Sequence, residues 1–238
     1  MLTSDVVKRA AAEVGFDACG IARAEALTDD EYPLRQWLAR GLNADLEYMG
    51  RNVAKRMDPR LLLPGARTVI CVASSYGSPA PGRTDGVAAY AQRREYHTTL
   101  RAMLFDLRER LGIAAKVCVD TVPISDKHWA ARAGLGWIGR HTLLVTPQWG
   151  SWVNLGELVT TAECDNYDTP LPSRCTDCNL CVDACPNSAI TADNLLDVRR
   201  CTAYYTTHNP KPIPPDVDAR GYTLGCDICQ LACPHNRT

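Results

Sequence analysis

No stretch of this chain is apolar for long enough to cross a bilayer. Its first residues, Met1-Leu2-Thr3-Ser4-Asp5-Val6-Val7-Lys8-Arg9, lack the apolar core of a secretory signal. The first absence argues against a helical membrane span, and the second predicts a cytoplasmic protein. Charge of one sign is missing too: 26 Lys and Arg against 27 Asp and Glu leave a net −1, which gives no global electrostatic footprint for nucleic acid. The basic pairs Lys55-Arg56, Arg93-Arg94 and Arg199-Arg200 read as solvated surface. There is no low-complexity tract and no internal repeat beyond two groups of cysteines. The 238 residues, 46% hydrophobic and 22% charged, are enough for one sizeable core and a small satellite domain.

Cysteine is what the chain has in quantity, with twelve in all. Cys175-x2-Cys178-x2-Cys181-x3-Cys185-Pro186 is the bacterial-ferredoxin run, in which three thiolates hold one iron–sulfur cluster and the fourth serves another. A second group, Cys226-x2-Cys229-x3-Cys233-Pro234, follows. Each iron of a cubane needs one soft thiolate. Two-residue gaps let one loop wrap three corners, and the three-residue gap turns the fourth cysteine away. The spacing therefore predicts two 4Fe–4S clusters, one on Cys175, Cys178, Cys181 and Cys233, the other on Cys185, Cys226, Cys229 and Cys201, the nearest unused thiol. Zinc has no use for the longer continuation, and disulfides need an oxidising compartment. Cys19, Cys71, Cys118 and Cys164 stand isolated and read as small buried hydrophobes.

The composition shifts near residue 165, which divides the chain into a large domain, 1–165, and a ferredoxin-like domain, 166–238. Apolar spacing predicts helices over 5–14, stopped by Gly15, and over 96–111, closed by Gly112. A third helix runs to Ala133, capped by Ser125. Strands are expected at 18–22, 68–75, 116–119, 141–146 and 151–160. The class is α+β, a mixed sheet flanked by helices. Pro210-Lys211-Pro212-Ile213-Pro214-Pro215 is a stiff connector within the cluster domain. Gly134-Leu135-Gly136-Trp137-Ile138-Gly139 fits G-x-G-x-x-G, but a helix precedes it and a strand follows, the reverse of a dinucleotide site. A tight helix-to-strand turn, or close approach of backbone to something flat and large, explains it better. Asp126-Lys127-His128-x2-Ala131 comes near a cobalt-histidine signature but lacks its glycine, so His128 is not taken as a ligand.

Asp120-x2-Pro123, the run Ala133 to Leu144, Gly150-Ser151-Trp152 and Leu155-Gly156-Glu157 resemble the catalytic domain of epoxyqueuosine reductases. Tyr90-Ala91, Tyr96-His97 and the cysteine segments continue the resemblance in order along nearly the whole chain. It implies a nitroreductase-like fold shared with reductive dehalogenases, cobalamin in the large domain, and two clusters lined up to reduce its cobalt. The implied substrate is epoxyqueuosine in tRNA, whose reduction to the alkene takes two electrons and two protons and expels water. The implied partners are tRNA and an external low-potential donor such as a flavodoxin or ferredoxin. Asp120 matches the family's general acid, a role for which burial is expected to raise its affinity for protons. Lys127 stands where the family has an arginine and would stabilise oxyanion charge. Tyr96, His97, Asp120, Gly134, Gly136, Trp137, Gly139 and Ser151 are the implied cobalamin contacts. The chain departs from the family in ending at Thr238 without the usual helical-repeat domain, in carrying Asp126-Lys127 for Glu-Arg, and in lacking a glycine within Gln92-Arg93-Arg94-Glu95. Two other readings remain: the same cofactor chemistry on a small molecule or on another protein's corrinoid, and a non-enzymatic electron carrier or corrinoid-binding module.

Overall fold

The computed structural model describes residues 1–79, 85–92, 95–209 and 211–236. The Arg93-Arg94 pair and Pro210, which opens the proline connector, lie outside them. Helix α1 (Ser4–Val14) buries Val7, Ala10 and Ala11 and ends where Gly15 takes φ 103° and returns its N–H to Ala11 and Ala12. β1 (Ala18–Arg23), α2 (Thr28–Ala39), α3 (Val53–Met57) and β2 (Thr68–Ser75) follow. The apolar pattern does not announce α2, because it contains Pro33 and buries no side chain. Next come α4 (Tyr96–Arg110), β3 (Ala115–Cys118) and α5 (Asp126–Arg132). Ser125 stands at the start of α5 but makes no side-chain cap; its Oγ is engaged with His128 Nδ1, 2.7 Å away. The expected strand over 141–146 shrinks to β5 (Leu144–Val145), which pairs with β4 (Trp137–Ile138). β6 (Val153–Thr160) is the last strand along the described residues.

The main sheet has the order β1-β2-β6-β3. The α+β class holds, but the sheet is antiparallel at every described ladder rather than mixed. β2 and β3 do run parallel, as the helical crossover through α4 requires, but β6 inserts between them. Side chains alternate across β2, so both faces can be buried. Val69, Cys71 and Ala73 pack with Met57, Trp129 and Ala130 on one face. Ile70 and Val72 pack with Val7, Leu100 and Leu104 beneath α1 and α4 on the other. Cys71 and Cys118 are fully buried in the first of these cores, as small hydrophobes should be.

After β6 the chain stays stitched to the sheet. Asp168 accepts from Lys8 Nζ at 2.6 Å and from the Ile21 N–H at 2.9 Å before the cysteine-rich segment begins. That segment carries three short helices, α6 (Leu180–Ala184), α7 (Thr202–Thr207) and α8 (Ile228–Ala232). It docks through buried polar groups. Gln230 Nε2 donates to the Ser151 carbonyl and hydroxyl oxygens at 3.0 and 3.1 Å. Asn236 accepts the Ser151 N–H at 2.6 Å and donates to its hydroxyl at 2.8 Å. Gly150, at φ 55°, makes room for this contact: a Cβ there would stand 2.0 Å from Asn236 Oδ1. No helix among the described residues is long and apolar enough to cross a membrane.

Candidate active site and cluster ligands

β3 ends at Cys118, and two residues later Asp120 takes φ 40°, the left-handed region that a residue other than glycine seldom adopts. Backbone strain of this kind concentrates at functional sites. The carboxylate meets two side chains from the first turn of α4. Tyr96 donates its hydroxyl proton to Asp120 Oδ2 at 3.2 Å, and His97 Nε2 lies 3.0 Å from the same oxygen. The other imidazole nitrogen, Nδ1, contacts Glu95. Glu95 also caps α4, accepting the N–H groups of His97 and Thr98 at 3.0 and 2.8 Å. The hydrogen bond from Thr98, followed by the one from His97, holds the Glu95 carboxyl down at about 2. For His97, burial works against the charged ring, but hydrogen bonds to Asp120 and Glu95 outweigh it, so the imidazole binds its proton more tightly than usual. Tyr96 is pushed the same way, by burial first and the Asp120 charge second. The result is a line from Glu95 through His97 to Asp120. Asp120 itself is 62% exposed, so the burial expected of a proton-donating aspartate is not supplied by the chain.

Behind Asp120 lies a second carboxyl pair. Glu157 sits mid-strand on β6, opposite Cys71 and Cys118, with 0% exposure. Neither of its oxygens has a hydrogen-bonding donor, and Asp126 Oδ1 is likewise buried without one. Two facing carboxyls without a donor between them cannot both ionise. Burial raises Glu157 well above the ordinary carboxylate range, and the Asp126 charge adds to that. Burial pushes Asp126 up to about 6 against the opposing pull of its own N–H. One proton therefore belongs to the pair, on Glu157. Lys127, next on α5, is half-buried; burial brings its ammonium down to about 8, and Nζ donates to the Thr142 carbonyl at 2.6 Å.

The implied cobalamin contacts divide into two places. Tyr96, His97 and Asp120 are together. Gly134, Gly136, Trp137, Gly139 and Ser151 lie at the β4–β5 hairpin and the docking contact. Their glycines serve close backbone approach: a Cβ on Gly134 would meet the Thr169 carbonyl at 2.8 Å, and one on Gly136 the Val145 carbonyl at 2.1 Å. Trp137 packs edge-on against His235, with ring centroids 5.1 Å apart. His128 has its ring nitrogens facing Ser125 and Asp30. Spacing did not point to Glu95 or to the Glu157–Asp126 pair. The signal for Glu157 is a charged residue inside the apolar run Leu155-Gly156-Glu157-Leu158-Val159.

Eight of the cysteines gather in two neighbourhoods, and all twelve are free. Cys175, Cys178, Cys181 and Cys233 line one small cavity together with Arg140, His141, Pro234 and His235. Burial raises the Cys181 thiol, and the charges of Cys233, Cys175 and Cys178 raise it further. Burial pushes Cys226 up to about 11, with Cys201 and Cys185 among its like-charged neighbours. Cys229 is raised by burial and then by Cys226, Cys201 and Cys185. Such mutual repulsion is what a cationic iron core relieves. Among the described residues no three His, Cys, Asp or Glu converge on a point suited to a single ion. Thiols spread around a cavity suit the corners of a cluster, so the residues fit the group.

An α+β catalytic layer carrying a thiol-rich, two-cluster module defines the chain as an iron–sulfur oxidoreductase. Residues 174–236 match the 4Fe-4S double cluster binding domain, and residues 56–121 match the family described as "Epoxyqueuosine reductase QueG, DUF1730". The epoxyqueuosine reductase of Gloeobacter violaceus is 40% identical over 98% of this chain and 76% of its own length. That of Cellulophaga algicola is 35% identical over 98% and 79%. The chain belongs to the epoxyqueuosine reductase family. The solved Streptococcus thermophilus enzyme superposes with a TM-score of 0.87 at 30% identity, over 98% of this chain and 65% of that one. The chain thus spans about two thirds of its solved relatives. One relative, 29% identical with a TM-score of 0.88 over 98% of this chain and 65% of its own, was crystallised with an epoxyqueuosine-modified tRNA stem loop. A Bacillus subtilis structure, 28% identical with a TM-score of 0.86 over the same shares, has its catalytic aspartate loop swung out of the active site. A reductive dehalogenase shares the fold, with a TM-score of 0.62 at 20% identity over 98% of this chain and 31% of its own.

Proposed function

We propose that this chain reduces epoxyqueuosine in tRNA to queuosine, with Asp120 as the acid that protonates the departing oxygen. The observation that carries this reading is the exposed, left-handed Asp120 tied to both Tyr96 and His97. Cobalamin, when bound, supplies the low-valent cobalt, and the clusters bring it low-potential electrons. The exposed ring of Tyr48, whose hydroxyl feels the Asp120 charge, and the stacked rings of Tyr96 and His97, with centroids 4.0 Å apart, suit a broad, flat cofactor and a base. Cys175, Cys178, Cys181 and Cys233 would hold one cluster and Cys185, Cys201, Cys226 and Cys229 the other. Two protons are consumed per turnover. Asp120 hands the first to the oxygen of the opened epoxide, is reloaded from His97, whose charged form Glu95 favours, and hands over the second as that oxygen leaves as water. Tyr96 holds the Asp120 carboxylate while it waits. A substrate laid over Asp120 supplies the water exclusion that the chain alone does not. Lys127, whose ammonium donates to the Thr142 carbonyl, would stabilise the oxyanion charge. The other partners follow from this chemistry: a modified anticodon nucleoside in tRNA, a cytoplasmic location and an external low-potential donor such as a flavodoxin or ferredoxin.

Asp120→Asn tests the acid role. Asparagine tolerates the left-handed backbone, so both cofactors should remain and cobalt should still be reduced, as read from ultraviolet–visible spectra of anaerobic protein with added cobalamin. Turnover should fall by about 10²–10⁴-fold. Unchanged turnover would remove Asp120 from the mechanism.

A further inference from the structure

The β4–β5 hairpin turns through Gly139-Arg140-His141-Thr142, closed by Thr142 N–H to the Gly139 carbonyl at 2.8 Å and Gly139 N–H to the Leu143 carbonyl at 2.9 Å. At its tip His141 is only 4% exposed. The Leu143 N–H donates to His141 Nδ1 at 3.3 Å. A nitrogen that accepts from a backbone amide cannot carry a proton, so in the neutral ring the proton is on Nε2. That Nε2 is buried and has no partner, and Arg140 Nε is buried and unpartnered as well. An orphaned buried donor costs about 1–3 kcal/mol, and two in consecutive residues ask for an acceptor. Both residues line the cavity shared by Cys175, Cys178, Cys181 and Cys233. Among the described residues the Arg140 side chain is held through Nη2, which donates to the Thr176 carbonyl at 3.2 Å, inside the cysteine loop.

We infer that His141 Nε2–H, seconded by Arg140 Nε–H, donates a hydrogen bond to a sulfur of the cluster held by Cys175, Cys178, Cys181 and Cys233, and thereby sets that cluster's potential. The inference rests on the cluster assignment proposed above. Hydrogen bonds to cluster sulfur stabilise the reduced, more negative state and raise the potential. The same turn is tied to the catalytic layer, because Lys127 on α5 donates to the Thr142 carbonyl at 2.6 Å. The large domain therefore reaches across to tune the cluster that faces it, while the cluster on Cys185, Cys201, Cys226 and Cys229 has no such donor from this hairpin. His141 acts through the cluster and touches no substrate; it is a positioning and tuning residue.

An anaerobic redox titration of the reconstituted chain, followed by electron paramagnetic resonance, tests this. His141→Leu should shift one cluster to lower potential, so that its reduced-to-oxidised ratio at a fixed potential falls about tenfold, or about 59 mV for one electron. The other cluster should not move. His141→Gln, whose amide can still donate, should recover part of the shift. Unchanged potentials in both variants, or equal shifts of both clusters, would overturn the inference. Should either variant lose iron, the unsubstituted protein decides: with nitrogen-labelled histidine, pulsed resonance should show one imidazole nitrogen coupled to a single cluster, and its absence refutes the role. Iron analysis reads the cluster assignment separately, since about eight irons per chain are required whatever His141 does.

Discussion

An aspartate that protonates a leaving oxygen at neutral pH needs a proton supply, and in the proposed mechanism His97, in contact with Asp120, provides it. Protonated His97 is favoured by its two carboxylate partners, so its contribution is complete below the ordinary imidazole range and is lost as pH rises through the raised value. Turnover should therefore persist to higher pH than an ordinary imidazole would allow and fall once the raised value is passed. His97→Gln should lower turnover by about 10- to 10²-fold and remove that alkaline limb from the pH–rate profile; a variant that keeps the limb would mean another group supplies the proton. The Glu157–Asp126 pair has linkage of the same sign, at lower pH. Asp126 is raised from 3.8 to about 6, so its folded state holds a proton that the unfolded chain has given up. The stability it contributes is complete below about 4 and is lost as pH rises through about 6. Glu157→Gln gives Asp126 an amide donor, and the fall in unfolding free energy between those limits should flatten by about 1–2 kcal/mol in denaturant titrations. Asp120 could be named as a candidate from the sequence because a motif marks it. Glu95 could not, because its work is done by capping α4 and holding a ring two residues on, a relation that only the helix geometry creates.

At the scale of elements, periodicity predicted α1, α4, β1 and β2 nearly to their ends because each buries one clear face. It missed α2, which buries no side chain, and misjudged 141–146, where the turn that holds His141 replaces most of a strand. Sheet direction was illegible for a different reason: whether β6 enters between β2 and β3 depends on long-range pairing, not on any local pattern. Of the two readings of the glycine run 134–139, the helix-to-strand turn is present, between α5 and β4. Its demand for close approach is met by the Thr169 and Val145 carbonyls rather than by contact with the Asp120 cluster. Docking of the cysteine-rich segment depends on a comparable fit at Gly150. Gly150→Ala would push a Cβ against Asn236 Oδ1 and the His235 carbonyl, at 2.0 and 2.6 Å, on a backbone with φ 55°. It should cost about 1–3 kcal/mol and slow electron transfer from the clusters to cobalt, seen by stopped-flow absorbance, while iron content stays at its unsubstituted level. Transfer at the original rate would show that this contact does not set the separation of the two parts.

For the whole molecule, the cysteine spacing sorted eight cysteines into the same two neighbourhoods in which the fold gathers them, since short gaps leave a loop few ways to wrap a cubane. Anaerobic reconstitution should accordingly yield about eight irons per chain with Mössbauer signatures of two 4Fe–4S centres. Stoichiometric zinc, or half that iron, would break the electron path on which everything else depends. Given both cofactors, the chain should act on a modified anticodon stem loop through the base splayed into the site, the usual way single-stranded RNA is read. The most direct measurement is anaerobic turnover of reconstituted, cobalamin-loaded protein with epoxyqueuosine-containing tRNA stem loop, followed by mass spectrometry of the nucleoside. The account predicts loss of one oxygen atom from the epoxyqueuosine to give queuosine, dependent on Asp120. Clusters and cobalt that cycle normally with a chemical reductant while the nucleoside stays unchanged would contradict it.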